Sequence, residues 1–264
     1  MRPHRCSTAR PFARAAIVLS VFLMAAVPPA KAGLVEAVER VKPSVVAVGT
    51  FQETRSPEFV FRGTGFAVED GTLIATAAHA VPETLQTESG ETLMVLVRMP
   101  GVTAPQGREA KAVSVDRVHD VALLRIGGAP LPPVTLGNSS AVADGRSIAF
   151  TGFPIGNSLG FYPVTHRGIV ASQPPIVLPS PTARQLDSRV IRGVKAGTFL
   201  LFQLDATAYP GHSGSPLYDA ETGEVIGVVN MNLKATKDAA VGQATGISFA
   251  VPARYLQDLI RGAK

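Results

Sequence analysis

The sequence predicts an antiparallel all-β protein, and three observations carry that expectation. Nine short runs rich in Val, Ile, Leu, Phe and Thr follow one another: Ser44–Phe51, Thr64–Val68, Thr92–Arg98, Ala110–Val115, Val121–Ile126, Ser147–Thr151, Thr198–Leu204, Glu224–Asn230 and Gly246–Val251. Clusters of Gly, Pro, Asn and Asp separate them, as turns separate strands. Only the two ends of the folded part show helical spacing. Leu34, Val35, Ala37, Val38 and Val41 precede Pro43, which stops a helix, and Pro252–Arg261 opens on proline and carries Leu256, Leu259 and Ile260 on one face.

The stretch Gly127–Pro133 breaks the strand rhythm and reads as a connection between two halves, residues 33–132 and 133–264. A second irregular stretch, Gln173–Gly197, holds four prolines and several charges and is too polar for a core. It reads as surface loops of the second half, either bordering a substrate cleft or inserted without a role.

Residues 1–32 have the layout of a cleaved secretory signal. Arg2, Arg5, Arg10 and Arg14 precede the apolar run Ala15–Val27, and Ala30-Lys31-Ala32 supplies the small residues of a cleavage site before Gly33. The apolar run is about 13 residues, short of the roughly 20 that span a bilayer, so contact with a membrane is expected only through this segment if it stays uncleaved. Removing it changes the electrostatics. The whole chain has a net charge of +5, but five of its 25 Lys and Arg and none of its 20 Asp and Glu lie in residues 1–32. The remainder is close to neutral, which excludes a nucleic-acid-binding surface. Cys6, the only cysteine, also lies in the leader. The exported or periplasmic protein therefore has neither disulfide nor cysteine-bound metal and depends on its core for stability. No His or carboxylate cluster has ligand spacing either, so no metal or cofactor is implied.

The segment Pro210-Gly211-His212-Ser213-Gly214-Ser215-Pro216 carries the first chemical signal. A serine between glycines at a tight turn can present its hydroxyl to a cleft, while the N–H groups of Gly211 and Ser213 point together as an oxyanion hole. Such a serine needs a base. Of the four histidines after the leader, His79 ends an apolar strand among small residues, His119 adjoins a candidate acid, His166 falls in a polar loop, and His212 adjoins the serine in a geometry that aims its side chain away. Context favours His79. The base in turn needs a carboxylate on a rigid strand. Asp120 heads Val121–Ile126, with Asp116 as its nearest rival. The order His79, Asp120, Ser213 is that of the chymotrypsin-type triad, not of subtilisin or the α/β-hydrolases.

Eight ordered segments resemble the protease domain of the HtrA (Deg) family of trypsin-like serine proteases: Val41–Val46, Gly63–Phe66, Ala75–His79, Asp120–Leu124, Gly152–Gly156, Asp205–Pro216, Glu224–Val229 and Gly246–Pro252. The departures are specific. The family's Gly-Asn-Ser-Gly-Gly-Pro stands here with His212 for the asparagine and Ser215 for the second glycine. Ser215 also resembles glutamyl endopeptidases, but those carry a histidine where this chain has Val228-Val229, so a preference for acidic residues is not expected. With Lys264 directly after the last helix, the family's PDZ module is not expected, and the long loop found after the first strand in some members is short.

The resemblance implies two six-stranded antiparallel β-barrels with a short N-terminal and a C-terminal helix. His79 and Asp120 come from the first barrel, Ser213 from the second, and polypeptide substrate lies between. It places Thr207 near the base of the primary specificity pocket and has Val228, Val229 and Asn230 pair with the substrate backbone. Small or medium apolar side chains are the expected preference. It also implies a homotrimer, with Phe51, Phe59 and Phe61 as the aromatic contacts. The expected activity is peptide-bond hydrolysis of exported or misfolded proteins. Two readings stand beside it: an inert or partner-activated barrel that binds peptides, with His212 deforming the oxyanion loop, and a non-peptide esterase.

Overall fold

A computed structural model describes residues 33–98, 101–102, 104–154, 156, 160–176, 199–231 and 246–263. The signal-like leader and most of the irregular stretch Gln173–Gly197 lie outside these residues.

Helix α1 (Leu34–Val41) leads through a 3-10 turn that contains Pro43 into the first barrel. Its strands are β1 (Val45–Phe51), β2 (Phe59–Val68), β3 (Leu73–Ala77), β4 (Thr92–Val97), β5 (Gln106–Asp116) and β6 (Val121–Ile126), closed in the order β1-β2-β3-β6-β5-β4. The second barrel uses β7 (Ser147–Gly152), β8 (Val164–Ser172), β11 (Phe202–Asp205), β12 (Pro216–Asp219), β13 (Val225–Asn230) and β14 (Ile247–Pro252), closed as β11-β14-β13-β12-β7-β8. A small hairpin of β9 (Pro175–Ile176) and β10 (Phe199–Leu200) stands apart from it, and helix α2 (Ala253–Gly262) follows with Pro252 as its N-cap. All strand pairings are antiparallel. The fold is the expected all-β double barrel with a helix at each end. Among the described residues no helix is long and apolar enough to cross a membrane.

Side-chain alternation along the strands builds three cores. In β1, Val46 and Val48 enter the interior of the first barrel, while Val45 and Ala47 face a second core between the barrels. The same parity puts Ala122 and Leu124 inside and Val121 and Leu123 between; in β7, Ile148 and Phe150 point into the second barrel and Ala149 between. Strands buried on both faces read as continuous apolar runs, which is why the sequence displays them so clearly. The inter-barrel core is sealed by Ala37 and Val41 of α1 and by Leu256 and Ile260 of α2.

Two expectations need correction. His166 is not in a loop. It lies in β8, stacked on Phe150 with ring centroids 5.4 Å apart. The run Thr198–Leu204 is not one strand: it changes partner at Leu201, with Phe199–Leu200 pairing to β9 and Phe202–Asp205 entering the barrel between β8 and β14.

Because Leu256 is fully buried where α2 closes the inter-barrel core, Leu256→Ala is expected to lower the unfolding free energy by about 2–5 kcal/mol. Denaturant titration checks this, and a loss well under about 1 kcal/mol would show that α2 is not part of the core.

Candidate active site

Two turns of the first barrel meet at His79. Strand β3 ends at Ala77 and runs into a 3-10 turn, Ala78–Ala80, whose small buried alanines leave room for the imidazole. The facing turn is organised by Asp116. Its Oδ1 accepts the N–H groups of Val118 and His119 at 2.9 and 3.1 Å, and its Oδ2 lies 2.6 Å from His119 Nδ1. Burial raises the Asp116 pKa, but the hydrogen bonds from the His119 side chain and backbone outweigh it and hold the carboxyl below its ordinary range. Asp116, the rival acid, is thus engaged by His119, whose ring stacks on Tyr255 at 4.1 Å.

Asp120 closes this turn with φ +55°, a left-handed conformation that few non-glycine residues adopt. From there it grips the histidine turn at three points. Its carbonyl accepts Ala78 N–H at 3.1 Å, its Oδ1 accepts His79 N–H at 2.8 Å, and its Oδ2 lies 2.6 Å from His79 Nδ1. Asn230 Nδ2 donates to the same Oδ2 at 2.7 Å. A carboxylate on Nδ1 keeps the hydrogen there and leaves Nε2 as a base.

The serine loop is shaped by the same logic. Gly211 and Gly214 have φ +103° and +86°, and a Cβ on either would lie 2.2 Å from Phe153 O or 2.1 Å from Thr64 O, so only glycine fits. Within the loop, His212 N–H donates to Tyr209 O, Gly214 N–H to Val229 O and Ser215 N–H to His212 O. The N–H groups of Gly211 and Ser213 make no hydrogen bond among the described residues. The loop is tied to the first barrel through Thr64, whose N–H donates to Ser213 O and whose Oγ1 donates to Gly211 O, both at 2.8 Å. A Cβ at Gly63 would touch both Ser213 O, at 2.8 Å, and Ala80, at 3.3 Å, which puts the serine loop beside the histidine turn. Ser213 Oγ makes no hydrogen bond with any described residue, His79 included, whose ring bonds to Asp120.

The sequence departures His212 and Ser215 lie together under the loop. Both are fully buried, and both crowd Gly152, where a Cβ would meet Ser215 Oγ at 2.1 Å and His212 Cδ2 at 3.1 Å. His212 turns into the second barrel, edge-on to Phe150 and to His166 at 4.9 Å, and its Nδ1 accepts Tyr209 N–H at 3.0 Å. Burial, reinforced by repulsion from His166, pushes its pKa down to about 4. Burial also lowers that of His166. The loop is therefore built around a neutral imidazole.

Thr207 is half-buried in the loop Ala206–Tyr209, which Ser248 braces by accepting Ala208 N–H at 3.0 Å and donating to Ala206 O at 2.7 Å. Val228 and Val229 differ from expectation. Both are buried and paired with Val251 and Ala250 of β14, Val228 lies opposite Pro216 of β12, and Val229 exchanges two bonds with Gly214 and Ser215. They offer no edge to a substrate, and Asn230, the last residue of β13, pairs with Phe249 of β14. Sequence reasoning placed Asn230 on the substrate strand and missed its bond to Asp120. An amide at the end of an apolar strand hints that a polar partner is needed, but not which one.

Two closed antiparallel barrels that meet over a histidine and an aspartate from one and a glycine-flanked serine from the other are the arrangement of trypsin-like peptidases. A family model described as the trypsin-like peptidase domain matches residues 63–228, and the chain belongs to that family. It is 31% identical over 237 residues to the mitochondrial serine protease HTRA2 of Bos taurus, covering 88% of this chain and 43% of the relative. It is 30% identical over 216 residues to the probable periplasmic serine endoprotease DegP-like of Halomonas elongata, covering 81% and 36%. The chain thus spans about two fifths of the length of these relatives. The fold is shared with the HtrA-type protease AlgW solved with a decapeptide, at TM-score 0.62 and 21% identity, covering 87% of this chain and 67% of that one. AlgW with a tripeptide gives a TM-score of 0.61 at 23% identity, covering 87% and 62%.

An imidazole whose pKa is lower folded than unfolded leaves the unfolded chain binding more protons, so its contribution to stability falls as pH drops from 6.5 toward about 4. Across that window His212 is expected to cost about 3 kcal/mol, and His212→Asn to remove that part of the acid sensitivity. Denaturant midpoints of both proteins near pH 7 and about pH 4 measure it, and parallel acid profiles would contradict it.

Proposed function

We propose that this chain is a serine endopeptidase with His79, Asp120 and Ser213 as its catalytic triad. The observation that carries the reading is the His79 Nδ1–Asp120 Oδ2 contact of 2.6 Å beside a serine loop whose Gly211 and Ser213 N–H groups are unused among the described residues. Ser213 Oγ attacks the scissile carbonyl carbon while His79 Nε2 takes the hydroxyl proton. Asp120 stabilises the imidazolium, with Asn230 holding its carboxylate. The Gly211 and Ser213 N–H groups receive the oxyanion. His79 then protonates the leaving amine, the peptide C–N bond breaks, and water, deprotonated by His79, releases the acyl group from Ser213.

The direction of the His212 side chain supports this over an inert barrel. The imidazole is buried in the second barrel and leaves the oxyanion donors clear. Polypeptide substrates are supported by the proteases among the relatives and by the peptides bound to AlgW. The substrate would lie as an added strand along the end of β13 at Asn230, and Thr207, between the buried Ala206 and Ala208, suits small or medium apolar side chains. Export to the periplasm, which would bring misfolded exported proteins within reach, is supported by the signal-like leader and the DegP-like relative. A homotrimer would use the partly exposed faces of Phe51, Phe59 and Phe61, although the rings of Phe59 and Phe61 already pack on Phe161.

Casein incubated with the purified protein should be cut into discrete fragments, and Ser213→Ala should abolish the cutting. Intact casein in both reactions would favour the inert or partner-activated barrel. Asn230→Ala is expected to lower kcat on a peptide substrate by about tenfold, the worth of one hydrogen bond to a charged group, and an unchanged kcat would remove Asn230 from the machinery.

A further inference from the structure

Arg117 has no part in the chemistry, yet it is bound on both sides of His79. It stands in the turn between β5 and β6, one residue after Asp116 and three before Asp120. Its guanidinium reaches across to the 3-10 turn, where Nη1 donates to Ala78 O at 2.5 Å and Nη2 donates to Val81 O at 3.0 Å. The Ala78 carbonyl immediately precedes His79, and the Val81 carbonyl lies two residues beyond it. The only other charged group close to Arg117 among the described residues is Glu83, 4.0 Å from Nε and largely exposed.

Each of the remaining bonds between these two turns starts from Asp120, through its carbonyl to Ala78 N–H and through its carboxylate to His79. Asp120 holds the histidine turn at Ala78 N–H and His79, the start of the turn, and makes no bond to its far end at Val81. The fork of Arg117 adds two donors at separate points, and a planar guanidinium holds two acceptors in a fixed relation that a single donor cannot. Because the fork ends on backbone carbonyls, the constraint acts on where the His79 Cα sits, and so on the direction in which Nε2 faces Ser213.

We propose that Arg117 is a positioning residue for His79, a guanidinium fork that locks the histidine turn to the aspartate turn so that the base faces Ser213. The catalytic consequence rests on the triad assignment above, whereas the lock itself does not. The test therefore reads both. In the purified protein, the His79 Nδ1 proton shared with Asp120 is followed as a far-downfield proton NMR resonance, assigned by its loss in His79→Ala. Peptide hydrolysis is measured alongside as separate kcat and KM.

In Arg117→Met, kcat is expected to fall between about 10- and 100-fold with KM within about twofold, as for a reacting group displaced by a fraction of an ångström to an ångström. The Nδ1 resonance should broaden or shift in the same variant. Arg117→Lys, which keeps the charge but loses the fork, should fall between Arg117→Met and the unmodified protein and covers the case in which methionine is not tolerated. Glu83→Gln should leave all readings unchanged. A protein that shows the resonance and its change in Arg117→Met but cuts no peptide would uphold the lock and reject the protease reading. An Arg117→Met protein with unaltered resonance and kcat, or with only a lowered melting temperature, would overturn the inference.

Discussion

Thr64 makes the bonds on which the site depends. Its N–H donates to Ser213 O and its hydroxyl to Gly211 O, while the same hydroxyl accepts Phe153 N–H at 3.2 Å and its carbonyl accepts Thr76 Oγ1 at 2.7 Å. One fully buried residue of the first barrel is thereby joined to Gly211 and Ser213 of the second and to the strand that leads to His79. Buried polar groups in such a network leave little freedom, because each unmade bond would strand a donor or acceptor away from water. The loop can stand so close to Thr64 only because Gly214 lacks a side chain, as Gly211 does where it meets Phe153.

Around this contact, the inter-barrel core supplies the bulk of the holding force and the polar network supplies the direction. Ala75, Val121 and Leu123 from one barrel and Val228, Val251 and Tyr218 from the other form a single apolar mass, with Leu256 and Ile260 of α2 against it. The residues proposed for the chemistry sit at its edge: His79 after β3, Asp120 before β6, Ser213 before β12 and Asn230 at the end of β13. Rigid strands bring each side chain to the seam, and short turns aim it. The neutral His212 fits the same plan on the inner side, filling the second barrel below the loop, where burial disfavours a charged ring.

The parts legible in sequence were those where one local rule governs. Strands buried on both faces, such as Val45–Phe51 and Val121–Ile126, showed as apolar runs, and the glycines around Ser213 showed a turn that only glycine can make. Strand β8 was not legible, because Val170 is its one fully buried residue and the rest reads as polar loop. Strand β12 was hidden by its length of four residues and its opening proline. Long-range pairings were the least visible. Nothing local distinguishes Asn230 as a partner of Asp120 or Arg117 as a partner of Ala78, since each bond exists only after the barrels have closed. The same holds for Val228 and Val229, whose apolar character fits a substrate strand and a buried one equally well until their neighbours are known.

The central claim is that the first barrel's His79–Asp120 pair activates one serine delivered by the second. Reaction with a fluorophosphonate, followed by peptide mapping in a mass spectrometer, tests it most directly, because the reagent forms a bond only with an activated serine and needs no peptide groove. A single adduct is expected, on Ser213, and it should disappear when His79 is replaced by alanine. An unmodified Ser213, or labelling that persists without His79, would contradict the claim.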